Sequence, residues 1–374
     1  MHIGIPKEIK NHEYRVGLTP SSVREIVAHG HSVSVETGAG AGIGTTDDAY
    51  RTAGAQVAPD AEAVFAAADM IVKVKEPQPR ERAMLRKGQI LFTYLHLAPD
   101  PEQCADLIKS NAVCIAYETV TQRGGGLPLL APMSEVAGRM SIQAGACCLE
   151  RAHGGKGILL GGVAGVPCAK IAILGAGVVG SNAAQIAVGT GAQVIVIDRN
   201  VDALRRMDRL LGGRVITVFS NQDNIEQHVL DADLVIGGVL VPGAAAPKLI
   251  TRAMVEAMSP GSVIVDVAID QGGCCETAKP TTHAEPTYKI GEVVHYCVAN
   301  MPGGVPRTST YALNNATLPF VLQIADQGWR KALTDDEHLR RGLNVAFGKV
   351  TCPEVAEALG YICEDADVIA AESQ

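Results

Sequence analysis

Short apolar runs alternate with amphipathic stretches along most of the chain, and the alternation falls into two series. The first series fills the N-terminal third, where stretches such as PSSVREIVAHG separate the runs. Its runs have the length and composition of buried strands: HIGI (2–5), SVSVE (32–36), MIVKV (70–74), QILFTY (89–94) and AVCIAY (112–117). Runs of this kind with helical patterns between them predict parallel strands joined by crossover helices.

The second series follows the tetrapeptide GVPC and has the same character. Its runs are AKIAIL (169–174), QVIVID (193–198), RVITVF (214–219), ADLVIGGV (232–239), SVIVDVA (262–268) and HYCVA (295–299). The sequence therefore predicts an α/β fold with two doubly wound parallel-sheet domains.

Two long helical stretches indicate how these domains are joined. Residues 133–153 contain no proline and predict a connecting helix, and RTSTYALNNATLPFVLQIAD after Pro306 predicts a second one that returns the chain to the first domain. We therefore expect one domain built from residues 1–132 and 307–374, and a central domain of residues 133–306.

A glycine-rich turn opens the central domain. Gly175, Gly177 and Gly180 have G-x-G-x-x-G spacing between the run 169–174 and the helical stretch VVGSNAAQIAVGTG. The first glycine permits a tight turn, the second lets a pyrophosphate approach the backbone, and the third allows close packing of helix and strand. The motif alone is also compatible with a strand–helix turn that binds nothing.

An acidic residue in the next strand makes the motif more specific. Asp198 ends the run 193–198, 18 residues after Gly180. A carboxylate there can accept hydrogen bonds from both ribose hydroxyls of NAD, and it would repel the 2′-phosphate of NADP. We therefore predict a Rossmann domain that binds NAD.

Polar side chains follow several of the other predicted strands. Arg15 lies in the loop after the first strand, and Lys75, His96 and Glu118 follow later strands of the same series. In the second series Asp270 follows SVIVDVA. Because ligands bind at the carboxyl ends of strands in open parallel sheets, these residues are candidates for substrate chemistry.

Each side chain suits a step in the reaction of a 2-oxo or 2-amino acid dehydrogenase. Arg15 can hold a carboxylate through two parallel N–H bonds, and Lys75 can stabilise negative charge on a 2-oxo oxygen. His96 can transfer protons near neutral pH, and Asp270 can orient or deprotonate water or ammonia. Taken singly, an Arg or Lys on a loop is more often a solvated charge, and Glu118 could equally be a partner that holds Arg15 or a helix terminus.

Composition and charge narrow the class of ligand. The 374 residues are 47% hydrophobic and 19% charged, with a net charge of −8 and no run of basic residues. These values favour small-molecule ligands and argue against nucleic acid or a membrane as partner. The polar opening MHIGIPKEIKNHEYR predicts a cytoplasmic location.

The ten cysteines contain no C-x-x-C and no Cys/His grouping with zinc spacing. We therefore expect buried, reduced thiols and no metal site.

Several segments together resemble the bacterial L-alanine dehydrogenase family. They are IPKEIKNHEYRVGLTP, VKVKEPQP, YLHLAPD, LPLLAPMSEVAGRMS, the glycine turn, VDVAIDQGGCCETAKPTTH and HYCVANMPGGVPRTSTYALNNATLP, and they extend from Met1 to about Gly360. The resemblance implies reversible oxidative deamination of L-alanine to pyruvate and ammonium with NAD, by a homohexamer. It also implies a catalytic domain built from both chain ends around a central NAD domain.

The resemblance assigns residues as well. Arg15 and Lys75 would bind substrate, and His96 and Asp270 would be catalytic. The cofactor contacts that it implies are Ser134, Gly175, Gly177, Val178, Val179, Gly180, Asp198, Ser220, Val239, Leu240, Val267, Ala268, Ile269, Asp270, Val298, Ala299, Asn300 and Met301.

The chain departs from this pattern at two positions. Ala203 stands where some relatives carry a basic residue near the cofactor, a contact that Arg205 could replace. Gln327 stands where some have a histidine linked to a divalent ion.

Two alternatives to the dehydrogenase also remain. One is the soluble NAD-binding part of a proton-pumping transhydrogenase, against which Lys75 and His96 together argue. The other is an NAD-responsive binding protein that has kept the fold and lost the chemistry.

Overall fold

The computed structural model describes residues 1–239 and 246–371, and the chain divides into two compact units. The first unit consists of Met1–Met133 and Val305–Gln374, and the second of Ser134–Gly304. Each unit contains one sheet of mostly parallel strands, which confirms the α/β fold class expected from the alternating runs.

The strands of the described residues are β1 (His2–Ile5), β2 (Ser32–Glu36), β3 (Gln56–Ala58), β4 (Met70–Val72), β5 (Ile90–Thr93), β6 (Val113–Ala116), β7 (Lys170–Leu174), β8 (Gln193–Asp198), β9 (Ile216–Phe219), β10 (Leu234–Gly237), β11 (Val263–Asp266), β12 (Thr287–Ile290), β13 (Val293–Tyr296), β14 (Leu343–Ala346) and β15 (Lys349–Val350).

The helices are α1 (Pro20–Ala28), α2 (Asp47–Thr52), α3 (Ala61–Ala67), α4 (Pro79–Arg82), α5 (Pro101–Ser110), α6 (Ala131–Leu149), α7 (Val178–Gly189), α8 (Val201–Leu211), α9 (Gln222–Asp231), α10 (Arg252–Ala257), α11 (Pro306–Gln327), α12 (Trp329–Asp335), α13 (Glu337–Arg340), α14 (Pro353–Leu359) and α15 (Ala366–Ala371). Short 3-10 turns cover Ala41–Ile43, Tyr117–Thr119, Arg151–His153, Val267–Gln271 and Met301–Gly304.

The two sheets share one strand order over their parallel parts. In the first unit the order is β3-β2-β1-β4-β5-β6, extended by antiparallel β14 and β15. In the second unit it is β9-β8-β7-β10-β11-β13, extended by antiparallel β12. Both follow the 3-2-1-4-5-6 order of doubly wound folds, in which the chain reverses direction across the sheet beside the first strand.

Alternate residues of a central strand enter different cores, which is why the interior of a strand such as β7 is apolar on both faces. In β7, Ile171 and Ile173 belong to one buried cluster, whereas Ala172 and Leu174 belong to another on the opposite face. A sheet covered on both faces requires continuous apolar runs rather than alternation.

Capping residues define where helices begin. The side chain of Thr19 accepts a hydrogen bond from Ser22 N at the start of α1, whose first residue is Pro20. At α8, Asn200 caps the first turn, and Gly212 ends the helix in a left-handed conformation with φ 59°. These are the signals expected of helix starts and stops.

The pattern did not predict β3, β12, β14 and β15. β12 lies at a sheet edge, where Thr287 and Lys289 are exposed, so it has no apolar run. The predicted connecting helix 133–153 is shorter in the structure, since α6 ends at Leu149 and a 3-10 turn follows. Within the described residues no helix combines the length and hydropathy needed to span a membrane.

Candidate active site

The candidate substrate residues lie at one edge of the first sheet. Arg15 is in the loop after β1, and Lys75, His96 and Glu118 follow β4, β5 and β6 within three residues of each strand end. These four strands are neighbours and parallel, so their carboxyl ends share an edge. The fold thus brings together residues that are up to 103 positions apart, from 15 to 118, in the sequence.

Arg15 is buried, so it is not the solvated surface charge that the sequence left open as an alternative. Its Nε and Nη2 donate to the two carboxylate oxygens of Glu13 at 2.7 and 2.6 Å, and Nη1 lies 3.0 Å from the sulfur of Met133. Burial lowers the pKa of Arg15, but the hydrogen bond and charge of Glu13 outweigh it and keep the pKa above its usual value. The guanidinium is therefore a fixed cation held by its Nε side.

A buried ion network lies beneath the backbone of Lys75. Glu8 Oε1 accepts hydrogen bonds from the backbone N–H groups of Val74 at 2.7 Å and Lys75 at 3.4 Å. Lys73, which is completely buried, donates to Glu8 at 3.1 Å and to Glu81 at 2.6 Å. Burial lowers the pKa of Lys73, but the charges and hydrogen bonds of Glu8 and Glu81 outweigh burial and raise the pKa above its usual value, so the ammonium stays charged. The network fixes the backbone from which the half-buried Lys75 side chain extends.

His96 has an unusual backbone conformation and an ordered surrounding. Its φ of 50° is in the left-handed region, which is uncommon for residues other than glycine. The imidazole stacks on the ring of Tyr94, with centroids 5.7 Å apart and planes 3° apart. The Tyr94 hydroxyl donates to the carbonyl of Leu129 at 2.5 Å. The imidazole is 43% exposed and is thus accessible to a ligand.

Glu118 holds this segment of backbone in place. Its carboxylate accepts from Leu95 N at 3.1 Å and from His96 N at 2.6 Å, while His96 Nδ1 is 3.9 Å away. Of the alternatives that the sequence left open for Glu118, the contacts favour a partner of the loop at Leu95 and His96 rather than of Arg15 or a helix terminus. The reason is local: Glu13, two residues from Arg15, already occupies that partner position, and the left-handed turn at His96 presents two N–H groups to Glu118.

The glycine turn of the second unit lies between β7 and α7, and its three glycines differ in what surrounds them. Gly175 has φ 102°, and a Cβ there would lie 2.7 Å from the carbonyl oxygen of Gly238. A Cβ at Gly180 would lie 1.8 Å from the carbonyl oxygen of Gly175. A Cβ at Gly177 would meet nothing within 4 Å. Packing within the chain therefore explains the first and third glycines but not the second, and the open space fits the approach of a pyrophosphate.

Asp198 ends β8 beside this turn. Its Oδ2 accepts from Ala176 N at 2.6 Å and its Oδ1 from Asn200 N at 2.7 Å. A carboxylate has about four lone-pair sites, so each oxygen keeps capacity for a hydroxyl donor. Asp198 thus both shapes the turn and presents acceptors next to it.

Most other cofactor candidates occupy the same edge of the second sheet. Ser220, Val239, Val267–Asp270 and Val298–Met301 follow the parallel strands β9, β10, β11 and β13. Leu240 lies outside the described residues. Ser134 is on α6, one helical turn before Gly138, whose Cβ position would lie 2.2 Å from the carbonyl oxygen of Val179 in the first turn of α7.

Asp270 is an exposed residue of the 3-10 turn Val267–Gln271, which has its own anchors. The buried Asp266 accepts from the backbone N–H groups of Ala268 at 3.1 Å and Cys274 at 2.9 Å. Lys248 Nζ donates to the carbonyl oxygens of Gly272 at 2.5 Å and Gly273 at 2.9 Å. The turn that presents Asp270 is thus held on both sides.

The sequence pattern missed the residues that position these side chains: Glu8, Glu13, Lys73, Glu81, Lys248 and Asp266. Two of them carry a signal, since Lys73 and Asp266 are charged residues inside apolar runs, MIVKV and SVIVDVA. Such residues are rarely fully buried without a partner. The other four carry no such signal because they lie on polar loops or at helix ends.

The cysteine expectation holds for most of the ten positions. All ten thiols are free, but Cys147 and Cys363 are exposed and Cys168 is half-buried.

Arg205, the suggested substitute near the cofactor, is paired with Asp202 at 2.8 Å.

The strand order, the glycine turn and the acid after the second strand define a dinucleotide-binding protein of the doubly wound α/β class. The chain belongs to the alanine dehydrogenase/PNT family: the model of the N-terminal domain matches residues 4–137, and that of the C-terminal domain matches residues 141–353.

Individual proteins with this similarity cover nearly the whole chain. The alanine dehydrogenase of Halomonas elongata is 60% identical over 360 residues, 96% of this chain and 97% of that protein. The alanine dehydrogenase of Bacillus subtilis is 57% identical over 362 residues, 96% of this chain and 95% of that protein.

Solved structures agree with these matches. The structure of an L-alanine dehydrogenase superposes with a TM-score of 0.94 and 54% identity, covering 96% of this chain and 99% of that one. A transhydrogenase from Sinorhizobium meliloti superposes with a TM-score of 0.80 at 27% identity, covering 94% and 99% of the two chains.

Proposed function

We propose that this chain is an NAD-dependent L-alanine dehydrogenase. The reaction converts L-alanine, NAD⁺ and water into pyruvate, ammonium, NADH and a proton, and it is reversible. The observation that carries the proposal is the set of Arg15, Lys75 and His96 at one sheet edge, in a chain 57–60% identical to proteins named alanine dehydrogenase.

Arg15 and Lys75 bind the substrate in this proposal. Glu13 fixes the buried guanidinium through Nε and Nη2, and a guanidinium has the planar fork geometry that binds a carboxylate. Lys75 binds the 2-oxo oxygen of pyruvate and stabilises the negative charge that develops there. Because Glu8 fixes the backbone at Val74 and Lys75, this charge needs little reorganisation when the substrate binds.

The second unit holds the cofactor, which supplies a hydride acceptor in deamination and a hydride donor in amination. The backbone N–H groups at Gly175, Gly177 and Gly180 and the start of α7 would hold the pyrophosphate, and Asp198 would accept hydrogen bonds from the ribose hydroxyls. Ser134, Ser220, Val239 and the segments Val267–Asp270 and Val298–Met301 complete the NAD contacts.

His96 transfers protons in this proposal, and Asp270 orients the molecule that exchanges them. His96 passes protons through the carbinolamine and imine steps, and its 43% exposed ring can exchange them with substrate. Asp270 orients the water that enters in deamination or the ammonia that enters in amination. The left-handed backbone at His96, held by Glu118, keeps the imidazole stacked on Tyr94 during these transfers.

We also propose that the protein is a cytoplasmic homohexamer. Light scattering of the purified protein at micromolar concentration would show six chains, and a monomer would contradict the assembly. Fractionation of cells that express the protein would place it in the cytoplasm, and recovery in another fraction would overturn that location.

A substrate panel tests the activity against its two rivals. Purified protein should reduce NAD⁺ with L-alanine and oxidise NADH with pyruvate and ammonium, and glycine and L-serine are the comparison substrates. Cofactor binding without turnover of any amino acid would instead indicate an NAD-responsive binding protein. Hydride exchange between NADH and an NADP⁺ analogue without deamination would indicate a transhydrogenase component.

A further inference from the structure

Three donor side chains of different chemistry meet at the end of α6, apart from the candidate active site. Cys147 lies in the last turn of α6, which ends at Leu149, and the 3-10 turn Arg151–His153 follows. Backbone bonds from Glu150 N to the carbonyl of Cys147, 3.1 Å, and from His153 N to that of Glu150, 3.0 Å, turn the chain back on itself. All three side chains are exposed, and their donor atoms lie within 4.8 Å of one another.

The distances in this group are a few tenths of an ångström longer than the edges of a metal coordination shell. Cys147 Sγ lies 4.0 Å from His153 Nε2, and one ligand atom from each of the three residues lies within 4.8 Å of the other two. In a tetrahedral site with Zn–S of about 2.3 Å and Zn–N of about 2.0–2.1 Å, the S···N edge is about 3.6 Å. Small rotations of exposed side chains would thus bring the three donors onto one ion.

The orientation of the imidazole supports the same function. His153 Nδ1 lies 3.0 Å from the carbonyl oxygen of Cys147, so a proton on Nδ1 is donated to that oxygen and Nε2 keeps its lone pair. Metal-binding histidines commonly donate their other ring N–H to a backbone carbonyl, which fixes the tautomer. The group also lies at the C-terminal end of a 19-residue helix, where the helix dipole favours a cation.

We infer that Cys147, Glu150 and His153 form a Zn²⁺-binding site with its fourth position taken by water. Thiolate, imidazole and carboxylate together suit Zn²⁺, whereas Mg²⁺ and Ca²⁺ require oxygen donors. On binding, the thiol loses its proton to solvent and the new Zn–S bond replaces the S–H bond, so affinity rises with pH.

The spacing explains why the sequence did not predict this site. The donors form a Cys-x-x-Glu-x-x-His pattern, and zinc spacing rules look for paired cysteines and histidines. None of the three residues is among those assigned to substrate or NAD, so the inference does not depend on the proposed activity.

Zinc titration of the full-length protein tests the inference. The protein is stripped of metal with a chelator, kept reduced with a phosphine, and titrated with Zn²⁺ against a chromogenic chelator. We expect one Zn²⁺ per chain, and at least about a tenfold loss of affinity in each of Cys147→Ser, Glu150→Gln and His153→Asn. With Co²⁺ in place of Zn²⁺, the unmodified protein should show a thiolate-to-cobalt charge-transfer band that Cys147→Ser lacks.

Cys363→Ser provides the matched control, since Cys363 is also an exposed thiol and lies in the other unit. It should leave Zn²⁺ affinity unchanged. The inference is overturned if the unmodified protein binds no Zn²⁺, if the three donor variants bind as tightly as it does, or if Cys363→Ser weakens binding as much as they do. Equal thermal unfolding of all variants without metal shows that the fold is intact.

Discussion

The two sheets of this protein have the same strand order but present different groups at the turn after their first strand. In the second unit β7 passes through Gly175–Gly180 directly into α7, so the turn offers backbone N–H groups. In the first unit residues 6–19 separate β1 from α1, and this longer loop supplies the side chains of Glu8, Glu13 and Arg15. The same topology therefore creates a binding edge in each unit. The length and composition of the connection after the first strand decide which ligand that edge suits.

The loop of residues 6–19 in the first unit is held in place by close packing and by buried ions. Gly17 packs so closely on β4 that a Cβ there would lie 2.3 Å from the carbonyl oxygen of Val72. The buried ions Glu8, Lys73 and Glu81 lie in the same region. A set of charged side chains needs such fixed surroundings to act as a binding site, whereas a glycine turn needs only its backbone geometry.

The largest expected effect concerns the buried ions. Lys73→Met should lower the free energy of unfolding by about 3–5 kcal/mol, since it leaves Glu8 and Glu81 buried without their cation. Lys156→Met in the second unit removes a partly exposed pair with Asp233 and should cost no more than about 1 kcal/mol. Urea denaturation compares the two, and similar losses would show that burial does not distinguish the networks.

Substitutions at two glycines of the turn should have different effects, one on the stability of the fold and the other on the affinity for NADH. Gly180→Ala forces a Cβ against the carbonyl of Gly175 and should destabilise the protein by about 1–3 kcal/mol or more. Gly177→Ala meets open space, so stability should change little while NADH affinity falls by about tenfold, or about 1.4 kcal/mol. Thermal unfolding without ligand and NADH fluorescence titration measure the two effects. Unchanged NADH affinity in Gly177→Ala would show that the pyrophosphate does not bind at this turn.

Cofactor choice should depend on the acid after the second strand of the same sheet. Asp198→Ala should reduce the preference for NAD over NADP by about tenfold or more, because hydrogen bonds to charged groups contribute about 1.5–3 kcal/mol. The control is Asp208→Ala, an exposed acid further along the following helix. Comparable catalytic efficiency with both cofactors in the unmodified protein would contradict the role of Asp198.

The smallest expected effect is acid stability in the first unit. The hydrogen bond from His31, with that from His29, holds the pKa of Asp326 below its usual value. A depressed pKa stabilises the fold above the unfolded value of about 3.9, and this contribution is lost as pH falls through the folded pKa. Asp326→Asn should therefore be less stable than the parent near pH 7 and equal to it at about pH 2, as measured by denaturant midpoints. A difference that does not depend on pH would contradict the linkage.

The sequence predicted much of the fold and less of the site, for physical reasons. Short runs rich in β-branched apolar residues indicate buried strands, so β1, β2 and β8 were predicted with their observed bounds. Edge strands such as β12 need only one apolar face and were missed.

Within the site, the sequence could select Arg15 and His96 because each follows a predicted strand. It could not reveal that Glu13 binds Arg15 or that Glu118 holds the backbone of His96, since both contacts depend on loop conformations. Likewise, the burial of Lys73 follows from tertiary packing against Glu8, 65 residues away.

The central claim is that substrate binding belongs to residues of the first unit and cofactor binding to those of the second. Reductive amination by Lys75→Met, measured beside NADH titration, tests it most directly. Loss of the ammonium should lower turnover by at least about a hundredfold and weaken pyruvate binding, because contacts that strengthen in the transition state contribute about 3–4 kcal/mol. NADH affinity should stay the same. Near-normal turnover, or a loss of NADH binding that matches the loss of activity, would contradict this division.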